Sequence, residues 1–158
     1  MRSDKTVLII GGSGVFGSRL AAGLVQDGFT QVIVAGRDLR RAKAVAAPLG
    51  ARAVGFDISK GDLTQKLADL APWLVIDAAG PFQAYGGYPL ADAAIATGAH
   101  YFDLSDDGPF TAGIAPALDE KAKAAGVVVR SGVSTVPALS APAVRSLLHG
   151  LHDIDLIE

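Results

Sequence analysis

Short apolar runs alternate with amphipathic stretches along most of the chain. Val7-Leu8-Ile9-Ile10 is the first run, without a polar interruption, as in a strand buried on both faces. The pattern predicts further strands over residues 32–35, 54–56, 73–76, 101–104 and 127–130. Helical spacing fills the intervals. Asp38 is placed to cap a helix running to about Leu49, with Gly50 ending it. Asp62 caps a helix whose apolar face is Leu63, Leu67 and Leu70. Residues 90–97 and 116–125 are helical and close at Gly98 and Gly126, and residues 141–148 form one more helix, stopped by Gly150.

Six strands joined by helices predict an α/β fold, a doubly wound parallel sheet with strand order 3-2-1-4-5-6 and right-handed crossovers. In that order a ligand lies over the carboxyl ends of strands 1 and 4, so the residues just after each strand become the candidates for function. The last stretch, residues 153–158, begins a partly alternating pattern and stops. This reads as a fragment, with a nucleotide-binding domain over residues 1–150 and the start of a truncated second, substrate-binding domain at 151–158. A docked or frayed tail is the plainer alternative.

After the first strand come Gly11, Gly12, Gly14 and Gly17. From Gly12 the spacing is G-x-G-x-x-G, between a strand and a helix, as a dinucleotide fingerprint requires. Gly12 allows the tight turn, Gly14 lets backbone approach a pyrophosphate, and Gly17 lets the helix pack closely. The helix N-terminus adds free N–H groups and a partial positive charge. No G-K-[ST] follows, which excludes an NTPase phosphate loop.

The other strand ends extend this reading. After strand 2 stand Gly36 and Arg37, where an NAD site would carry an acid for the ribose 2′-hydroxyl. A guanidinium there pairs instead with a 2′-phosphate, with Arg40 and Arg41 adding charge, so NADP is favoured over NAD. After strand 3, Asp57 and Ile58 are placed to bracket an adenine, or Asp57 to cap the next turn. After strand 4, the small residues Ala78, Ala79 and Gly80, with Pro81 and Phe82, would let a cofactor lie against backbone.

Composition narrows the classes. The 158 residues are half hydrophobic, which suits a buried sheet, and the formal charge of −2 implies neither nucleic acid nor an anionic membrane as partner. With no cysteine there is no disulfide scaffold, thiolate nucleophile or cysteine-held metal, which is compatible with a cytoplasmic protein. The N-terminal apolar run is too short for a signal-peptide core. His100, His149 and His152 make no metal-binding pattern, so no metal site is expected. No tyrosine is followed four residues later by lysine, as a short-chain dehydrogenase would need, and no G-x-S-x-G elbow is present.

The stretches VLIIGGSGVFGSRLA, VIVAGRD, VIDAAGPFQAYGGYPLADAAIATGAHYFDLSDD and GVVVRSGVSTVPALSAPAV resemble the saccharopine dehydrogenase-like oxidoreductases, in their N-terminal NAD(P)-binding domain. The resemblance spans Thr6 to about Val144 and implies a Rossmann domain, with the family's second domain interrupting or following it near residue 150. It implies cofactor contacts at Gly12, Ser13, Gly14, Val15 and Phe16, with Arg37 beside the 2′-phosphate. Asp57 and Ile58 would lie near the adenine, and Ala78, Ala79, Gly80, Pro81 and Phe82 near the nicotinamide half. Ala138-Leu139 departs from the family, where a glycine is frequent. Tyr85, Tyr88, Tyr101 and Asp103 are candidate proton donors, none singled out. The expected function is the cofactor domain of an NADP-dependent oxidoreductase acting on a small-molecule substrate held by the missing domain. A homodimer is left open, and a non-enzymatic NADP sensor is the alternative reading.

Overall fold

A computed structural model describes residues 3–148, without the side chains of Ser3, Val136 and Pro137. The tail pattern at 153–158, the stop at Gly150 and the proposed second domain lie outside the described residues. Six parallel strands form one sheet: β1 (Ser3–Ile10), β2 (Phe29–Gly36), β3 (Arg52–Gly55), β4 (Leu74–Asp77), β5 (His100–Asp103) and β6 (Val129–Arg130). Their order is β3-β2-β1-β4-β5-β6, the doubly wound order expected. The helices are α1 (Val15–Gln26), α2 (Leu39–Ala46), α3 (Leu63–Leu70), α4 (Pro89–Ala96), α5 (Gly108–Ala125) and α6 (Ser140–Leu147).

The uninterrupted apolar run of β1 has a physical consequence. Alternate residues feed opposite faces of the sheet. Leu8 and Ile10 join one core with Val75, Leu90, Tyr101 and Leu118. Val7 and Ile9 join the other with Ala21, Val34 and Ile76. The run from Val7 to Ile10 therefore has no solvated face, and each of these four side chains buries apolar surface worth roughly 1.5–3 kcal/mol.

Helix ends follow the expected chemistry. Asp38 Oδ1 accepts from the Arg40 and Arg41 amides at 2.9 and 3.2 Å, and Asp62 Oδ1 from Gln65 at 3.1 Å. Gly50 and Gly126 close their helices in the left-handed region. Several boundaries differ from the sequence expectation, and three of them bear on the site or the core. Strand 3 begins two residues earlier and ends one earlier, because Ile33 to Gly36 pair with Arg52 to Gly55, although Phe56 N–H still bonds the Gly36 carbonyl at 2.9 Å. Strand 4 runs on to Asp77, which pairs with Ile10 on one side and Asp103 on the other. The expected helix over 116–125 begins instead at Gly108 and carries Pro116 inside it. Phe110, Ile114, Leu118 and Ala122 are buried at four-residue spacing, so one apolar stripe runs through the proline. Pro116 lies on the exposed side, where water can satisfy the carbonyl that loses its donor.

Asp107 caps this long helix, accepting from Phe110 N–H at 2.8 Å. Asp107→Ala is expected to lower the stability of the fold by about 1 kcal/mol in chemical denaturation, the usual worth of an N-cap. An unchanged midpoint would show that the stripe alone holds the helix.

Candidate functional site

The turn after β1 is built from close backbone contacts. Gly11 has φ +73°, and a Cβ there would lie 2.7 Å from the Ala78 carbonyl and from Ala79 Cα. The left-handed residue of the turn is thus Gly11, which the spacing rule passed over. Gly12 is the packed one: a Cβ would sit 2.9 Å from the Ile9 carbonyl oxygen and from Val34 Cγ1. Gly17 presses against the Gly11 carbonyl and lies where a Cβ would be 2.7 Å from Gly12 Cα, which draws the start of α1 onto the turn. Gly14 is exposed, and a Cβ there would meet only the Gly11 oxygen, at 3.2 Å.

Gly14 is the N-cap of α1. No side chain caps the helix and no acid lies in its first turn. Its positive end and unpaired amides therefore face outward, the arrangement that holds a phosphate. A cleft of about 470 Å³ begins here and runs across the carboxyl ends of the strands.

Of the residues expected to touch a cofactor, Ser13, Gly14, Arg37, Asp57, Ile58, Ala78, Ala79, Gly80 and Pro81 line this cleft. Gly12 lies buried beneath it. Val15 and Phe16 stand on the first turn of α1, 68% and 65% exposed, outside the lining. Phe82 is not on the cleft surface either. Its ring is buried, 5.3 Å from Phe110 and 5.4 Å from Tyr85, and it supports the wall from behind.

The β2 end carries positive charge. Arg37 and Arg41 both line the cleft, whereas Arg40 does not. Asp38 also lines it, with its carboxylate engaged in capping α2. Next to β3, Asp57 both lines the cleft and caps a turn. Its Oδ1 accepts from the Ser59 hydroxyl at 2.7 Å and amide at 3.0 Å, and these bonds hold the carboxyl below its usual range. Lys66 fastens the same loop, donating to the Asp57 carbonyl at 3.0 Å and to the Lys60 carbonyl.

The β4 end holds a buried polar cluster that pattern reading missed in part. Asp77 and Asp103 are register neighbours, and both are fully buried. Asp77 Oδ1 accepts from Ala79 N–H at 2.9 Å and from the Tyr85 hydroxyl at 3.3 Å. The buried Tyr101 hydroxyl makes a long bond of 3.5 Å to Asp77 Oδ2. Asp103 Oδ1 accepts from Ser105 N–H, Gly132 N–H and the Ser131 hydroxyl, at 3.0, 3.0 and 2.8 Å, while its Oδ2 has no partner. Burial pushes the Asp77 carboxyl up to about 6; the Ala79 amide and both hydroxyls oppose that, and Asp103 adds to it. Burial and the Asp77 charge hold both tyrosines well above their usual range, so they stay protonated.

Of the four candidate donors, Tyr85 alone lines the cleft. Tyr88 ties its loop to α5, bonding the Phe110 carbonyl at 3.0 Å. From sequence alone an acid directly after an apolar run reads as a solvated strand end; the burial of Asp77 is set by Tyr85 and by Tyr101 and Asp103 of β5, which local pattern does not show. The Ala138-Leu139 departure lies in a single π-helical turn, Thr135–Leu139, leading into α6. Among the described residues no group of three or more His, Cys, Asp or Glu side chains could hold a metal. No helix there is long and apolar enough to cross a membrane.

The raised Asp77 carboxyl has a sign that stability measurements read. Its folded value of about 6 lies above the ordinary 3.8, so its contribution is complete below pH 3.8 and is lost as pH rises through 6. Above neutrality the loss is about 3 kcal/mol. Asp77→Asn keeps the acceptor and cannot ionise. The variant should therefore melt higher than the wild type above pH 7, with the gap closing toward pH 4. A gap that does not change with pH would contradict this.

Residues 7–129 match the family described as the saccharopine dehydrogenase NADP binding domain. A glutamyl-tRNA reductase of Myxococcus xanthus (strain DK1622) is 32% identical over 151 residues, covering 84% of this chain and 34% of that protein. Apo saccharopine dehydrogenase (L-Glu forming) from Saccharomyces cerevisiae superposes with a TM-score of 0.74 at 25% identity, over 94% of this chain and 31% of that one. GenD2 from gentamicin A biosynthesis, solved in complex with NAD, gives a TM-score of 0.58 at 26% identity, over 84% and 35%. The chain thus spans about a third of the length of these relatives. With its strand order, its glycine turn and the arginines beside β2, the chain belongs to the saccharopine dehydrogenase NADP-binding domain family.

Proposed function

We propose that this chain is the cofactor-binding part of an oxidoreductase that moves a hydride between NADP and a small molecule held by the rest of the protein. The observation that carries the reading is one cleft with two anion-binding features. The uncapped N-terminus of α1 stands at one place on its rim, and the Arg37 and Arg41 guanidiniums at another. A dinucleotide with a 2′-phosphate has anionic groups for both.

In this reading the pyrophosphate lies on the amides of Ser13, Val15 and Phe16, above the spot where Gly14, whose own amide donates to the Gly11 carbonyl at 2.9 Å, leaves room. Val15 and Phe16 then contribute backbone, consistent with side chains that turn outward. Arg37 and Arg41 take the 2′-phosphate, and Asp57 and Ile58 flank the adenine. Ala78, Ala79, Gly80 and Pro81 face the nicotinamide half, with Phe82 supporting them. The cofactor supplies the hydride chemistry, and the protein's part is to place it and to exclude water. The substrate site, a cytoplasmic location and assembly as a homodimer belong to the same proposal.

Titration of the purified protein with NADPH and NADH tests it. NADPH is expected to bind more tightly. Arg37→Ala should weaken NADPH by about tenfold to a hundredfold, the worth of a charged hydrogen bond, and leave NADH unchanged. Equal affinity for the two nucleotides in the wild type would overturn the assignment of Arg37.

A further inference from the structure

The Asp77–Asp103 pair takes no part in the contacts just described, yet it lies directly behind them. Ala79 and Tyr85 stand at either end of one cleft wall, and both donate to the same oxygen, Asp77 Oδ1. One carboxylate oxygen therefore ties both ends of that wall to the tip of β4. The groups facing Asp77 are all neutral or acidic. Tyr85 comes from the wall, Tyr101 and Asp103 come from β5, and β1 pairs with it through the apolar Ile10. Among the described residues no cation offsets its charge, and the neighbouring Asp103 adds to the cost of that charge.

We infer that Asp77 is the positioning residue of the nicotinamide-side wall, that its ionised form holds the wall in its binding shape, and that protonation releases it. The inference rests on the NADP reading above. An ionised acceptor makes hydrogen bonds roughly twice as strong as a neutral one, so both tethers weaken when Asp77 is protonated. Asp103, its register neighbour on the adjacent strand, is a second acid that disfavours the charge on Asp77. An amide at residue 77 would accept both wall bonds on its one oxygen and spare the cost of burying a charge, losing only the long bond from Tyr101. A carboxylate kept at such a cost points to a role in the site rather than in the fold. Because burial holds this carboxyl at about 6, the release falls in a range that binding experiments reach.

The test measures NADPH affinity of the intact protein from about pH 7.5 to about pH 5, for wild type and Asp77→Asn. A second ligand, 2′,5′-ADP, lacks the nicotinamide half and reports the pH response of the 2′-phosphate site alone. Corrected by that ligand, wild-type affinity for NADPH should fall about tenfold across the range, following the ionised fraction of Asp77. The variant should hold the weaker, low-pH affinity throughout, while binding 2′,5′-ADP as the wild type does. It should do so while melting at a higher temperature at pH 7.5, a combination that structural damage does not produce. Tyr85→Phe, which removes one tether and leaves Asp77 ionisable, should weaken NADPH at high pH only. Equal NADPH affinity and pH response in wild type and Asp77→Asn would overturn the inference and leave the NADP reading standing. Failure of wild type to bind either ligand would overturn both.

Discussion

Everything in the cleft depends on one backbone crossing. The turn that leaves β1 runs so close to the turn that leaves β4 that Gly11 has no room for a methyl group against Ala78 and Ala79. Three separate chain segments are brought together there. Gly17 presses the first turn of α1 down on the same turn, and Gly12 packs it against β2 through Val34. A side chain at any of these positions would have to push backbone rather than a flexible side chain. The anion-binding end of α1 and the wall after β4 are therefore fixed relative to each other before any ligand arrives.

The sheet makes that crossing rigid. β1 and β4 are central strands, buried on both faces, and their partners continue the ladder outward on each side. The charges sit away from this core. Arg37 and Arg41 reach the cleft from the exposed edge of β2 and α2, where hydration limits their cost. Asp77 is different, since it brings a carboxylate into the interior at the ligand end of the sheet. Its two tethers to the wall explain what an ionisable group does there. The stability that burial of Asp77 forfeits and the cleft geometry it secures are one physical arrangement seen from two sides.

Much of the architecture was legible in residue order. The uninterrupted run 7–10, the capping acids Asp38 and Asp62 and the closing glycines Gly50 and Gly126 act through neighbours in sequence, so pattern alone places them. The misplaced boundaries have tertiary causes. Pro116 reads locally as a helix start, yet it lies within α5 because Phe110 and Ile114 already bury the preceding turns. Strand 3 is placed by the register of β2, which no local pattern encodes. Among the site residues, Ser13, Gly14 and Arg37 were legible because a strand-turn-helix puts them at fixed offsets. Phe82 was read as a wall residue and proved to stand behind the wall, since its ring has Phe110 to pack against, 28 residues further along the chain.

The sequence by itself determined the strand order, the glycine turn and the basic residues after β2, because these follow from periodicity and from spacing along one chain segment. Only the tertiary structure decided that Gly11 carries the crossing, that Arg41 and not Arg40 reaches the cleft, and that Asp77 is buried against Asp103. Each of those outcomes depends on which residue of another segment comes within a few ångströms. That distance is set by packing between strands and helices remote in sequence, and local pattern carries no record of it.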